Sequence, residues 1–277
     1  MLPELFRDLG VPSVSRLRSQ SIRVNGCSLH SRSSETLVAD AAADRIPFLL
    51  IHGLVISSLY MIPLAERIAA EHEVHALDLP GFGRSEAPRE VLTVPQLAEW
   101  VLAWMDAKRL PQCHLIANSL GCQIVAHLAV QAPERVATLT LIGPTLEPKP
   151  CAFIVETFRL LRDATHEPVR LWMNWLFDFC RTGPRRAFGT TREMFRDRIE
   201  RQLPRVTART LVMRGGLDPT VPQSAAEIMT RLLPNSRLLV IAGEPHCAHY
   251  TDPARVWRAI TEHLRLSQPP RDLPEVV

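Results

Sequence analysis

Short apolar runs alternate with amphipathic stretches along most of the chain, and this alternation restricts the fold more than any other feature. The stretches between the runs repeat apolar residues with helical spacing, whereas the runs have the length and content of buried strands. The runs are PFLLIHG, EVHALDLPG, QCHLIANS, RVATLTLIGPT, ARTLVMRGGLD and SRLLVIAG. Strands joined through helices form right-handed crossovers in a parallel sheet. We therefore expect an α/β fold with a mainly parallel central sheet flanked by helices.

The alternation is interrupted once, between two of the predicted strands. Residues 146–203 have helical spacing, are rich in aromatic residues and contain no strand pattern, and the alternation resumes after them. A helical block between two strands is typical of an inserted lid. We therefore expect a core domain formed by residues 1–145 and 204–277, with a helical lid formed by residues 146–203. For most of the lid aromatics, Trp172, Trp175, Phe177 and Phe179, core packing is the expected role.

Composition narrows the class of protein. Hydrophobic residues make up 46% and charged residues 22% of the 277-residue chain, as in ordinary globular enzymes. The net charge is +3. The basic residues are spread along the sequence, and we expect no nucleic-acid binding, because such binding needs a concentrated basic face.

Cysteine usage and hydropathy bear on the compartment. The six cysteines lack the dense spacing of a disulfide framework, which favours reduced thiols and a cytoplasmic location. The N-terminal residues do not have the pattern of a signal peptide. The long apolar stretch at residues 48–65 is interrupted by His52, Gly53 and Pro63, so we expect no transmembrane segment.

One serine stands where a predicted strand ends and a helix begins, in the segment LIANSLGCQIVAHLA. Ser119 has Ala117 two residues before it and Gly121 two residues after it. Small residues at both positions permit a tight turn that carries a nucleophile. Ser119 could instead be a helix N-cap, a common role for serine after a strand, so its assignment depends on partners elsewhere in the chain.

An acid and a base follow two later strand patterns. Asp218 lies just beyond the run TLVMRGG, and His246 comes three residues after Gly243, which ends the next run. A serine hydroxyl is a weak nucleophile until a base takes its proton, and an acid must hold the tautomer of that base. Ser119, Asp218 and His246 occur in the chain order expected of α/β hydrolases. We predict that they form a catalytic triad.

Acyl transfer also needs backbone N–H groups directed at the developing oxyanion. His52 and Gly53 end an early strand, and the turn after them could direct the N–H of Leu54 toward the nucleophile. The second donor would be the N–H of Leu120, at the start of the helix that follows Ser119. We expect His52 to shape the oxyanion turn by hydrogen bonding, with Gly53 and Asn118 as further supporting residues.

Other interpretations of these residues stay open. His249 lies in the same loop as His246 and competes with it as the base, although a position against the loop or the pocket wall fits it better. Asp218 could be a turn residue before Pro219. His246, Cys247 and His249 could be taken for a metal cluster, but no matching ligand pair occurs elsewhere. Asp78 opens a glycine-containing turn, for which a structural role is expected.

The chain resembles α/β-hydrolase-fold enzymes over nearly its whole length, from about Ile22 to Leu266. The resemblance rests on His52-Gly53, DLPGFGRS from Asp78 to Ser85, NSLG around Ser119, GGLDPTVP around Asp218 and GEPHCAHYTDP around His246. Within that superfamily the chain is similar to the lid-bearing group of carboxylesterases, lipases and carbon–carbon bond hydrolases of aromatic degradation. The resemblance implies a Ser nucleophile, a His base, an Asp orienter and no metal or organic cofactor. Ala117 departs from the usual G-x-S-x-G pattern.

Three functions are compatible with these residues. The first is a serine hydrolase that cleaves a small to medium apolar ester, or a related acyl compound, through an acyl-enzyme. The second is a carbon–carbon bond hydrolase that acts on vinylogous diketones. The third is a catalytically silent ligand-binding member of the fold, since fold alone does not settle function. The expected partner is a small-molecule apolar acyl substrate for the first function and a hydrophobic ligand for the third.

Overall fold

The computed structural model describes residues 15–34, 46–145, 167–266 and 275–276. The strands are β1 (Leu17–Val24), β2 (Cys27–Ser34), β3 (Phe48–Ile51), β4 (Val74–Leu77), β5 (Cys113–Asn118), β6 (Val136–Ile142), β7 (Arg209–Gly215), β8 (Ser236–Ile241) and β9 (Glu275–Val276). The helices are α1 (Ile62–Ile68), α2 (Val94–Ala107), α3 (Leu120–Gln131), α4 (Val169–Thr182), α5 (Pro184–Arg196), α6 (Ile199–Gln202), α7 (Gln223–Leu232), α8 (Ala248–Thr251) and α9 (Pro253–Arg265). Short 3₁₀ turns occur at Ser58–Met61, Pro133–Arg135 and Leu203–Arg205.

The strands form one sheet in the order β1-β2-β4-β3-β5-β6-β7-β8-β9. Every neighbouring pair from β4 to β9 is parallel, whereas β1 pairs antiparallel with β2 and β2 pairs antiparallel with β4. Asn25 and Gly26 have positive φ angles of 48° and 84°, as the tight turn between β1 and β2 requires. The prediction of a mainly parallel sheet flanked by helices is confirmed.

The apolar sequence of β3 shows why both faces of the sheet are covered. Successive side chains of a strand point to opposite faces. Phe48 and Leu50 of β3 belong to one buried cluster, together with residues of α1 and α9. Leu49 and Ile51 belong to the other cluster, together with residues of α2 and α3. Because these strands are parallel, their carboxyl ends lie at one common edge of the sheet, and the candidate site lies at that edge.

The described part of the predicted lid, residues 167–203, is helical and contains no strand. Residues 146–166 of the predicted lid lie outside the described residues. Core packing was the expected role for most lid aromatics, and this expectation is wrong for Trp175 and Phe177, which are exposed. Periodicity places these rings on a helix face but does not say which way that face points. Within the described ranges, no helix combines the length and the apolar content that a membrane span needs.

Asp78, which follows β4, is the centre of a buried polar network. Its carboxylate accepts hydrogen bonds from His30 Nδ1 at 2.8 Å, from the N–H of Ser58 at 2.7 Å and from the N–H of Arg84 at 2.9 Å. The Arg32 guanidinium lies 3.8 Å away. Burial alone would raise the pKa of Asp78, but the His30 hydrogen bond and the Arg32 charge outweigh it and hold the pKa well below its usual range. The network supports the expected structural role.

Replacing Asp78 with asparagine is expected to lower the free energy of unfolding by about 3–5 kcal/mol at neutral pH, because Arg32 then stays buried without its nearest counter-charge. The folded-state pKa lies below the unfolded value of about 3.9. The stabilisation by Asp78 is therefore complete above that value and is lost as the pH falls through the folded-state pKa. Urea unfolding at neutral and acidic pH measures both effects.

The matched control is Asp106→Asn. The Asp106 carboxylate also pairs with an arginine, Arg135 at 2.7 Å, but its side chain is 64% exposed. Removal of this surface pair should change the stability by at most about 1 kcal/mol. Equal effects of the two substitutions would contradict the structural role of Asp78.

Candidate active site

Ser119 lies in a strained turn between β5 and α3. Its backbone has φ 53° and ψ −120°, a region that is costly for a residue other than glycine. Its N–H donates to the Ile142 carbonyl at 3.1 Å, and its carbonyl accepts from the N–H of Cys122 at 2.9 Å. Within the described residues, the side chain makes no capping hydrogen bond to α3. A strained backbone whose side chain makes no capping bond argues against the N-cap interpretation. It favours the alternative prediction, that the turn positions Ser119 as a nucleophile.

The small residues around Ser119 serve its close approach to the end of β3. A Cβ atom on Gly121 would lie 2.6 Å from the Ile51 carbonyl oxygen, so only glycine fits there without a backbone shift. A Cβ atom on Gly53 would lie 3.2 Å from the Ser119 Cβ. Ala117, which departs from the usual pattern, is fully buried in β5 and pairs with both neighbouring strands. Its methyl group is therefore accommodated by the packing of the sheet.

Asp218 and His246 form a buried pair at the ends of β7 and β8. His246 Nδ1 lies 2.8 Å from Asp218 Oδ2, and both side chains are almost completely buried. The other carboxylate oxygen accepts hydrogen bonds from the Thr220 hydroxyl at 2.6 Å and from the N–H groups of Thr220 at 2.8 Å and Val221 at 3.1 Å. Burial would raise the pKa of Asp218, but His246 and these donors lower it. Asp218 thus holds a negative charge beside the imidazole.

His246 lies close to the turn that carries Ser119. The Asn118 side chain donates to the carbonyls of Ile142 at 3.0 Å and His246 at 3.4 Å, which ties the loop after β8 to the residue before Ser119. A Cβ atom on Gly143, the residue after β6, would lie 2.7 Å from His246 Cε1. The absence of a side chain at Gly143 therefore leaves room for the imidazole ring. These contacts bring the ends of β5, β6 and β8 together.

His249, the competing candidate for the base, lies fully buried in a different environment. Its ring packs edge-on against Tyr60 with 4.6 Å between the centroids. Neither ring nitrogen has a hydrogen-bond partner among the residues that the structure describes. Burial lowers the pKa of His249 to about 3. His246, and not His249, has the carboxylate partner that a general base needs.

The turn after β3, which carries the predicted oxyanion donor Leu54, is held by hydrogen bonds of His52. His52 Nε2 accepts from the N–H of Leu79 at 2.9 Å, so Nδ1 carries the proton and donates to the Gly53 carbonyl at 2.8 Å. Burial lowers the pKa of His52, as expected for a neutral hydrogen-bonding residue. Leu54 follows in this turn, and Val55 has a strained φ of 53°. Leu120 is the first residue of α3, where N–H groups have no partner within the helix.

Sequence reasoning missed Tyr60 and Thr220. The Tyr60 hydroxyl accepts from the N–H of Gly53 at 2.6 Å and donates to Asn118 Oδ1 at 2.9 Å. It therefore joins the turn after β3 to the turn that carries Ser119. The sequence signal for Tyr60 was weak, because a lone tyrosine in an apolar run usually packs in the core. Thr220 offered a clearer signal, because a hydroxyl two residues after an acid often hydrogen-bonds to its carboxylate.

Replacing Tyr60 with phenylalanine is expected to lower kcat about tenfold with little change in KM. The substitution leaves the ring in place but removes the acceptor of the Gly53 N–H and the donor to Asn118, which loosens the loop that carries Leu54. Steady-state kinetics with an activated ester, at a temperature at which the variant is fully folded, separates kcat from KM. The control is Tyr250→Phe, the other tyrosine of the chain. A change in KM alone would contradict this positioning role.

Comparisons with known proteins agree with the fold. A family model described as alpha/beta hydrolase fold matches residues 46–179, and a second model, described as TAP-like protein, matches residues 180–274. The chain is 27% identical to the pimeloyl-[acyl-carrier protein] methyl ester esterase of Aeromonas hydrophila over 248 residues, which cover 78% of the chain and 93% of the relative.

Two solved structures extend the comparison. A thermophilic esterase from Thermogutta terrifontis superposes with a TM-score of 0.74 at 22% identity, covering 90% of this chain and 98% of that one. The 2-hydroxy-6-oxo-6-phenylhexa-2,4-dienoate hydrolase of a Rhodococcus species superposes with a TM-score of 0.72 at 20% identity, covering 90% and 99%. At these identities the two structures establish the fold. With its sheet, its strained serine turn and its matches to the two family models, the chain belongs to the α/β-hydrolase superfamily.

Proposed function

We propose that this protein is a serine hydrolase that cleaves a small to medium apolar ester, or a related acyl compound, through an acyl-enzyme. The observation that carries the proposal is the strained, non-capping Ser119 at the same sheet edge as the buried Asp218–His246 pair. The similarity to a methyl ester esterase over most of the chain supports an ester as the substrate.

Each residue of the site has a defined task in this reaction. Ser119 Oγ attacks the carbonyl carbon while His246 Nε2 takes the hydroxyl proton, and Asp218 holds the proton on Nδ1. The N–H groups of Leu54 and Leu120 stabilise the tetrahedral oxyanion. As that intermediate collapses, His246 returns the proton to the leaving alcohol and the acyl group stays on Ser119. Water then attacks the acyl-enzyme with the same proton transfers and releases the acid.

We also propose that the inserted helices form a lid over this site. Contacts at three points of the insert support the proposal. Glu167 accepts a hydrogen bond from the N–H of Cys247, the residue after His246, at 2.9 Å. The Arg181 guanidinium donates to the Gly83 carbonyl at 2.8 Å, and Arg186 donates to the carbonyl of Glu90 at 3.1 Å. The insert is thus anchored on both the loop after β8 and the loop after β4.

The test is the release of p-nitrophenol from a series of acyl esters of increasing chain length, combined with a fluorophosphonate that reacts with activated serines. We expect turnover that depends on chain length and a single covalent adduct on the peptide that contains Ser119. An adduct on another serine would contradict the proposed nucleophile. Turnover of a vinylogous diketone with no ester hydrolysis would replace the ester by a carbon–carbon substrate. Tight binding of an apolar ligand without turnover of either class would indicate a binding protein.

A further inference from the structure

Helix α4 presents its apolar side to solvent. Val169, Met173, Leu176 and Phe177 are each at least half exposed, from 51% for Phe177 to 75% for Val169. Their spacing places them on one side of the helix. The opposite side, with Leu171 and Asp178, is buried against the protein. This is the reverse of an ordinary surface helix, and exposed apolar faces of this kind mark interaction sites.

The next helix adds a basic stripe. Arg185, Arg192 and Arg196 are exposed and recur with helical spacing on α5, on the same side as Phe188, which is 64% exposed. The opposite side of α5 is buried through Ala187 and Thr190. Residues 168–196 contain six arginines and two acidic residues, a charge of 6 − 2 = +4, which exceeds the +3 of the whole chain. The basic residues are thus less evenly spread than the sequence analysis assumed.

An apolar face beside a basic stripe is complementary to an anionic bilayer. Such a bilayer offers negative headgroups to the arginines and acyl chains to the apolar side chains. A second copy of this chain fits less well, because a two-fold interface would bring two basic stripes together. A nucleic acid would match the arginines but leave Val169, Met173 and Leu176 without apolar contacts.

We propose that the exposed face of α4, together with the basic stripe of α5, docks this protein on anionic lipid surfaces. Both faces point away from the core, and the insert that carries them is anchored beside His246 through the Glu167 contact with Cys247. Docking by this face places the candidate active site next to acyl compounds that are dissolved in or attached to the membrane. The inference concerns where the protein acts and does not depend on the chemistry at Ser119.

The first test is co-sedimentation of the full chain with vesicles of phosphatidylcholine alone and of phosphatidylcholine mixed with phosphatidylglycerol. We expect binding to the mixed vesicles that weakens as salt is added. The double variant Met173→Glu/Leu176→Glu should bind roughly 100-fold more weakly, because two apolar side chains no longer enter the bilayer. The matched control is Ile228→Glu, which changes another exposed apolar residue, on α7, and should bind as the wild type does.

A second pair of variants tests the charge. Arg185→Gln/Arg192→Gln should weaken binding to the mixed vesicles roughly 30-fold, at about fivefold for each arginine. Arg231→Gln/Arg258→Gln, which removes two exposed arginines elsewhere, should have no effect. Failure of the wild type to bind the mixed vesicles would overturn the proposal. So would undiminished binding by Met173→Glu/Leu176→Glu, or a dimer in light scattering that this variant abolishes while vesicles are not bound.

Discussion

Replacing Ser119 with alanine is expected to lower kcat for an activated ester by about 10⁵–10⁶-fold. In the proposed mechanism the substitution removes the atom that forms the acyl-enzyme, while the proposed oxyanion donors, the N–H groups of Leu54 and Leu120, remain. Any residual reaction would therefore be direct attack by water on a bound and polarised ester. The turnover rate of purified protein with the best ester of the chain-length series measures the effect.

The fold should survive this substitution. The Ser119 hydroxyl makes no capping hydrogen bond in the described structure, and alanine tolerates the same positive φ no worse than serine does. Ser224→Ala, which removes an exposed hydroxyl from α7, is the control and should keep full activity. Turnover of Ser119→Ala within tenfold of the wild type, with normal thermal unfolding, would refute the serine mechanism.

The sheet and the members of the candidate triad could be predicted because local patterns report them directly. A buried parallel strand is continuously apolar, and each of Ser119, Asp218 and His246 follows such a strand. Parallel strands end at one common edge, so the sequence alone implies that these residues lie near one another. Their hydrogen bonds and burial, by contrast, required the three-dimensional structure.

Tyr60 could not be predicted because its importance depends on a contact between distant segments. It meets Asn118 across 58 residues of sequence, and no local pattern distinguishes this tyrosine from one that fills the core.

The exposed apolar face of α4 could not be predicted either, for a different reason. Its periodicity predicts an amphipathic helix, and burial of the apolar side is the usual outcome. The burial of Leu171 and Asp178, together with the exposure of the opposite side, shows that the apolar side faces outward.

Replacing Asp218 with asparagine is expected to lower kcat about 10⁴-fold, through the tautomer of His246. Asp218 Oδ1 accepts three hydrogen bonds, from the hydroxyl and N–H of Thr220 and from the N–H of Val221. In the variant, the amide oxygen must take this position, because all three partners are donors. The amide nitrogen then faces His246 Nδ1 and donates to it, which moves the imidazole proton to Nε2. His246 can no longer take the proton of Ser119.

KM and a second variant, Thr220→Val, show whether the loss in Asp218→Asn comes from the carboxylate. KM should change little, because Asp218 is buried behind His246 and is 3% exposed. Thr220→Val removes the hydroxyl that contacts both Asp218 Oδ1 and His246 Nδ1, but it leaves the carboxylate and its backbone donors in place. This variant should lose only about tenfold in kcat and keep the pH profile of the wild type. If Asp218→Asn lost no more activity than Thr220→Val, the carboxylate would not be what sets the tautomer, and the acid of the triad would have to be sought elsewhere.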